Sequence, residues 1–209
     1  MVLITFEGID GSGKSTQAQL LEEALQEQGC ETVLVHEPGS TTFSERVRSL
    51  LLDSSLNVDP FAELLLFSAA RAQLVTEQIR PALEAGQVVI CDRFYDSTTA
   101  YQGAGWGVAD LDWLASFHER VTGHLVPDRT FLVEVDAETA RARRAAEEAD
   151  PDRMEEAGAD FYKRVVDGYE ALAEQYPDRI RCLDGTRTID DLHRTIRADV
   201  EGLLDAADA

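Results

Sequence analysis

The chain has almost no lysine. Lys14 and Lys163 are the only two, and the remaining basic residues are arginines, 19 Lys and Arg together against 40 Asp and Glu. The formal net charge of −21 gives a field that repels nucleic acid and anionic membrane, so neither is expected as a partner. Cysteine is also scarce. Cys30, Cys91 and Cys182 are odd in number, far apart and without CxxC spacing, which argues against a disulfide framework or a zinc knuckle and for buried thiols in a reducing compartment. No apolar run approaches the roughly 18 residues that a membrane helix needs. The opening MVLITFEG lacks a basic leader and predicts a strand rather than a secretory signal, so a cytoplasmic location is expected.

Apolar runs alternate between two periods. Short β-rich runs fall at Val2 to Phe6, Thr32 to Val35, Val88 to Cys91, Thr130 to Val135 and Ile180 to Leu183. Helical stripes lie between them at Lys14 to Gln28, Phe43 to Leu52, Phe61 to Leu83, Leu111 to Val121, Ala137 to Ala146, Phe161 to Gln175 and Ile189 to Leu204. The long third stripe is expected to be disturbed near Pro81. Alternation of this kind predicts an α/β fold, a three-layer α/β/α domain of the P-loop NTPase type with a five-stranded parallel sheet. One domain over 1–209 is expected, with a short lid at about 141–156 that includes the charged stretch Glu147 to Glu156.

The segment GIDGSGKS (8–15) meets the pattern GxxxxGK[ST], with a strand before it and a helix after it. Gly11 and Gly13 permit the tight turn that aims successive N–H groups at a phosphate, and the helix adds its positive end. Lys14 suits the β/γ-phosphates and Ser15 suits Mg²⁺. The residues assigned to ATP are Gly8, Ile9, Asp10, Gly11, Ser12, Gly13, Lys14, Ser15 and Thr16. A GTPase would need an NKxD-type segment, and Lys163 is followed by Arg164 and Val165 instead. The third strand ends in Asp92-Arg93 rather than the acidic pair of a motor ATPase. Asp92 can assist the metal; Arg93, at the carboxyl end of a sheet strand, suits a phosphoryl group in flight. An ordinary Asp–Arg ion pair is the alternative for that dipeptide.

Four segments together resemble the thymidylate kinase family: GIDGSGKST (8–16), HEPGSTTFSERVRSLLLD (36–53), FSAARAQLV (67–75) and PALEAGQVVICDRFYDSTTAYQGAG (81–105). The resemblance spans nearly the whole chain, and EPG followed by DRFxxSxxAYQG is far more specific than a P-loop. It implies transfer of the γ-phosphoryl group of ATP to dTMP, with Mg²⁺, in a homodimer. Phe67 and Arg71, four apart on one helix, then stack on and hydrogen-bond to thymine, although alone Phe67 would more simply be core. Arg48 and Arg93 bind the acceptor monophosphate; by itself Arg48 would be a solvated helix residue. The resemblance places Asp10 near the acceptor sugar, where otherwise it is a turn former, and Glu37 near metal or water beside the phosphates. Ser97, Tyr101 and Gln102 line the base pocket, Gln102 at the base edge and Tyr101 where it disfavours a 2′-hydroxyl.

The loop Asp10-Gly11-Ser12 carries no basic residue, which corresponds to the family type whose transition-state cation comes from the lid. The catalytic assignment is therefore Asp10, Lys14, Arg93, Arg143, Arg144 and Arg153, with Ser15 and Asp92 for the metal. Helix-end pairing with neighbouring acids is the alternative for each lid arginine. Two departures from the family pattern remove positive charge: His36 precedes EPG, read as a structural strand-end residue, and Trp106 stands in GAGWG, read as a packing or dimer-contact residue. The acidic, lysine-poor composition resembles that of proteins from salt-accumulating, halophilic cytoplasms, with a moderately acidic mesophilic protein as the alternative. The rival functions are a related kinase acting on dUMP, CMP or thymidine, and a nucleotide-binding regulator that has lost catalysis.

Overall fold

The computed structural model describes residues 1–146 and 158–207. Five strands, β1 (Val2–Glu7), β2 (Thr32–His36), β3 (Val88–Asp92), β4 (Arg129–Glu134) and β5 (Ile180–Asp184), form one sheet in the order β2-β3-β1-β4-β5. Every pairing is parallel, with Val2 opposite Val88 and Ile4 opposite Arg129. The sheet has the expected five-stranded α/β architecture. Chain direction across it reverses beside β1, so the carboxyl ends of β1 and β3 flank the crevice where open parallel sheets bind ligands.

The strand sequences read as continuous apolar runs because both faces are covered. Along β1, Val2, Ile4 and Phe6 pack against helices α1 (Lys14–Glu27) and α9 (Ile189–Ala207) through Leu21, Leu25, Ile196 and Val200. Leu3 turns the other way, toward Leu74, Val75 and Ile79. A third cluster holds α8 (Ala159–Gln175) against β4 and β5 through Phe161, Val165, Leu172, Leu132 and Ile180. Each fully buried Phe or Leu contributes about 1.5–3 kcal/mol.

Helix α2 (Thr42–Leu52) starts at the N-cap Thr41, whose Oγ1 accepts from Ser44 N at 3.0 Å. The long stripe is helical from α3 (Pro60–Leu74) through a π-helical turn at Val75–Ile79 to α4 (Arg80–Glu84). The disturbance thus begins six residues ahead of Pro81. Pro81 offers no N–H to the carbonyl four residues back and its ring crowds that carbonyl, so the ladder widens before the ring arrives.

Residues 94–110 read as connecting chain in the sequence, yet α5 (Tyr95–Thr98) runs into a second π-helical segment, Thr99–Gly105, ahead of α6 (Leu111–Thr122). Its Thr and Gly residues are poor helix formers, and close packing makes up for them. A Cβ on Gly103 would lie 2.6 Å from Leu114 Cδ1, and one on Gly168 of α8 would lie 2.6 Å from Ala104 Cβ. Helix α7 (Ala137–Ala146) matches the predicted stripe, while 147–156, the greater part of the expected lid, and Arg153 with it, lie outside the described residues. Of the three free thiols only Cys91 is buried; Cys182 is exposed, which corrects the expectation of three buried ones. Its strand, β5, is at the sheet edge, where one side of the strand meets solvent.

Candidate active site

The phosphate loop leaves β1 at Glu7 and enters α1 at Lys14. Gly11 and Gly13 sit at φ 83° and 96°, where a side chain is strained. A Cβ on Gly11 would also come within 2.5 Å of the Ala140 carbonyl oxygen. The loop therefore needs glycine for two independent reasons, backbone conformation and the close approach of α7. Ile9 turns its side chain into the apolar cluster with Tyr101 and Phe161, so toward a nucleotide it can offer only its backbone.

Asp10 is the hub. Its Oδ1 accepts from Lys14 Nζ at 3.1 Å and from Arg93 Nη2 at 2.6 Å, and its Oδ2 lies 3.9 Å from Arg144 Nη1. Burial would raise its pKa, but the charges of Arg93 and then Lys14 outweigh that and hold it well below the usual carboxylate range. Arg93 adopts φ 71° at the end of β3, a conformation that costs a non-glycine residue about 1–3 kcal/mol. The geometry is fixed on several sides. Arg93 N donates to Phe6 O at 2.9 Å, its Nη1 to Ser97 Oγ at 3.0 Å, and its guanidinium lies 5.3 Å from the Tyr101 ring.

Beneath Arg93 lies a carboxyl that no sequence motif marks. Glu7 is fully buried; it accepts from Phe94 N at 2.8 Å, from Tyr169 OH at 3.1 Å and from the Ser97 hydroxyl. Because Ser97 donates to Glu7, its lone pairs face the Arg93 N–H. Burial, then the charge of Asp96, pushes the Glu7 carboxyl up to about 7 despite those donors. An acidic residue inside an otherwise apolar strand, immediately before the loop, was the available signal.

Two clefts meet at this hub. The first is lined by Phe67, Arg71, Arg93, Ser97, Tyr101 and Gln102, with Glu37 and Arg48 at one side. These residues come from the β2 end, α2, α3, the β3 end, α5 and the π-helical segment, and every residue assigned to dTMP is among the lining. Leu51, Leu52 and Thr98 line it too and were not anticipated. The second cleft follows the loop from Asp10 to Thr16 and is bordered by Arg143, Arg144 and Arg187. Arg187, just beyond β5, was also missed, though an arginine at the carboxyl end of a strand in so acidic a chain was a usable sign. Asp10 and Arg48 border both clefts.

Several assigned side chains hold the fold as well as face the cleft. Arg71, 1% exposed, donates Nε to Glu37 Oε2 at 2.7 Å, Nη1 to Thr98 Oγ1 at 3.0 Å and Nη2 to Phe94 O at 3.1 Å. Arg48 Nη1 donates to Pro38 O at 3.0 Å. Phe67 packs half-buried against Val47, Leu51 and Ala70, so it belongs to the core and to the cleft wall at once. Arg143 donates Nη1 to Ser12 O at 3.1 Å and Nη2 to Gly185 O at 2.8 Å, tying α7 to the loop. Trp106 packs against Phe161 with ring centroids 4.4 Å apart and planes tilted by 40°, in keeping with a packing role, and His36 ends β2 with its Nε2 3.2 Å from Glu45 Oε1.

Among the described residues, four buried polar atoms near the clefts lack a hydrogen-bond partner: Gln17 Oε1, Glu37 Oε1, Asp92 Oδ1 and Tyr101 OH. Buried oxygens are seldom left without a partner, so these are positions where a water, an ion or a ligand group fits. Asp92 and Ser15 line one shared hollow at the ends of β3 and the loop, a hydroxyl and a carboxylate that suit a hard cation. Among the described residues no cluster of three or more His, Cys, Asp or Glu forms a metal cage. Among them, too, no helix is long and apolar enough to cross a membrane.

The thymidylate kinase family model matches residues 6–196. Thymidylate kinase of Chlorobium chlorochromatii is 49% identical over 97% of this chain and 96% of its own length, and that of Symbiobacterium thermophilum is 44% identical over 97% and 94%. The crystal structure of thymidylate kinase from Ehrlichia chaffeensis superposes with a TM-score of 0.78 at 37% identity, covering 96% of this chain and 98% of that one. The loop, its hub carboxylate and the arginine-walled second cleft thus occur in a chain that aligns end to end with these proteins, and the chain belongs to the thymidylate kinase family.

Proposed function

We propose that this protein transfers the γ-phosphoryl group of ATP to dTMP, giving dTDP and ADP. The observation that carries the reading is the pair of clefts that share Asp10 and Arg48: one follows the phosphate loop, the other has an aromatic wall and arginines for a monophosphate. ATP lies along residues 8–16 with Lys14 at its terminal phosphates, and dTMP lies between Phe67, Arg71 and Gln102 with its phosphate on Arg48 and Arg93. Arg93, preset over Asp10, neutralises charge as the phosphoryl group crosses from one cleft to the other. Ser15 and Asp92 are the residues that would hold Mg²⁺, which when bound draws charge from the phosphate oxygens. Catalysis rests on alignment and charge neutralisation, without a protein nucleophile.

Arg144 is the lid-side cation best situated to join the transferring phosphate, since it already faces Asp10. Arg143 is held by loop carbonyls and serves mainly to seat α7. The proposed partner is a second copy of the chain, meeting at the α3–α6 face, where Phe61, Leu65 and Trp113 are exposed. Sedimentation of Leu65→Glu as a monomer, with the wild type a dimer, is the expected result; a monomeric wild type would remove the dimer from the reading.

Coupled ADP release with dTMP, dUMP, CMP and thymidine as acceptors tests the assignment. Turnover is expected with dTMP and not without an acceptor. Turnover on thymidine but not on dTMP would contradict it.

A further inference from the structure

Behind the acceptor cleft three side chains form a fixed unit. Glu63, in the first turn of α3, is 1% exposed, and its Oε1 accepts from Gln102 Nε2 at 2.7 Å and from Trp106 Nε1 at 3.2 Å. Gln102 lines the cleft, and Glu63 stands behind it. The three come from separate elements, α3, the π-helical segment and the turn that ends it.

The chemistry of the unit has a direction. Glu63 Oε1 receives two N–H donors, one from the Gln102 amide and one from the Trp106 indole, and an indole N–H only donates. Glu63 therefore faces the NH₂ half of the Gln102 carboxamide, and turning that amide over would set its carbonyl oxygen against a carboxylate oxygen. The Gln102 amide atom that Glu63 does not engage is Oε1, an acceptor, on a residue that lines the cleft. Trp106, its ring backed by Phe161, keeps Glu63 in place from the other side.

We propose that Glu63, held by Trp106, sets the base selectivity of the acceptor cleft by fixing the Gln102 carboxamide so that its Oε1 accepts the ring N–H of a thymine- or uracil-type base. Cytosine carries a lone pair at that ring position and meets the same oxygen with repulsion. A site built for one donor leaves its buried acceptor unpaired when the donor is missing, which is the strongest form of discrimination available to a small pocket. Glu63 is a positioning residue here, since it acts through Gln102. The inference rests on the dTMP reading above.

The test compares kcat/KM for dTMP, dUMP and dCMP in the full-length wild type, E63Q and W106F, with Tm recorded for each. In E63Q the new amide pairs with either half of Gln102, so the fixed orientation is lost. The expected result is a fall in the dTMP-over-dCMP ratio of at least about tenfold, the worth of one buried hydrogen bond. The fall should come through the acceptor KM, with the ATP KM and the dTMP-over-dUMP ratio unchanged. W106F, which removes one donor and keeps a ring on Phe161, should shift the ratio the same way by about threefold, and it decides the matter alone if E63Q does not fold. An unchanged dTMP-over-dCMP ratio in the folded variants, or an equal loss for both acceptors, overturns the inference. A wild type that does not phosphorylate dTMP overturns the underlying reading instead, and is a separate result.

Discussion

At the scale of single residues, the site is organised by where charge is buried rather than by how much of it there is. Arg93 is held by Phe6, Ser97, Asp10 and the Tyr101 ring before any substrate arrives, so little reorganisation remains for the reaction. Arg93→Ala should lower kcat by about 10²–10³, the usual cost of losing one preorganised charge contact, while ATP affinity changes little; an unchanged kcat in a folded variant would refute the role. Glu7 makes a prediction of the opposite kind, about stability. Its carboxyl is raised from 4.5 to about 7, so the folded state binds that proton more tightly than the unfolded chain does. The contribution is full below about pH 4.5 and is lost as pH rises through about 7. Glu7→Gln removes the titration, so the stability of the variant relative to wild type should rise between pH 5 and pH 8 by on the order of 3 kcal/mol. Urea unfolding of both proteins at the two pH values measures it, and a pH-independent difference would rule it out.

At the scale of elements, legibility followed the physics of each piece. The central strand β3 was readable because both faces of the sheet are covered there and its apolar run is unbroken up to Asp92; polar residues interrupt the others, such as Thr5 in β1 and Arg181 in the edge strand β5. The phosphate loop was readable because its chemistry is in the backbone, and backbone demands show directly as glycines. Residues 99–105 were not readable as a helix, because Thr99, Gly103 and Gly105 give no local preference for one and the segment is held by its neighbours. The acceptor residues were legible only through the resemblance; nothing in periodicity separates Phe67 from a core residue, and the structure makes it both. The same close packing gives a test. Gly168→Ala places a methyl 2.6 Å from Ala104 Cβ and 3.3 Å from Ala100 Cα. The gain in helix propensity, about 1 kcal/mol, is set against about 1–3 kcal/mol of overpacking. The expected result is a net loss in Tm together with a raised acceptor KM and an unchanged ATP KM, because Tyr101 and Gln102 ride on the displaced segment. Equal rises in both KM values would show that α8 does not support the acceptor cleft selectively.

At the scale of the whole molecule, a chain of net charge −21 brings Lys14, Arg48, Arg93, Arg143, Arg144 and Arg187 around one pair of clefts. Elsewhere acidic residues outnumber the basic ones, which pair with them at places such as Lys163–Asp167 and Arg197–Glu201, and the excess negative charge is what dissolved cations screen. If the composition is an adaptation to salt, the unfolding midpoint should fall on dialysis from molar salt to low ionic strength; full retention would favour the mesophilic alternative. Two adjoining clefts share the Asp10 carboxylate, one along the phosphate loop and one with arginines that suit a phosphorylated acceptor. The direct measurement is ³¹P NMR of the protein with ATP, Mg²⁺ and dTMP. The ADP and dTDP resonances should grow in equal amounts, with no growth when thymidine replaces dTMP. Release of inorganic phosphate without dTDP, or formation of dTMP from thymidine, would contradict the proposed transfer.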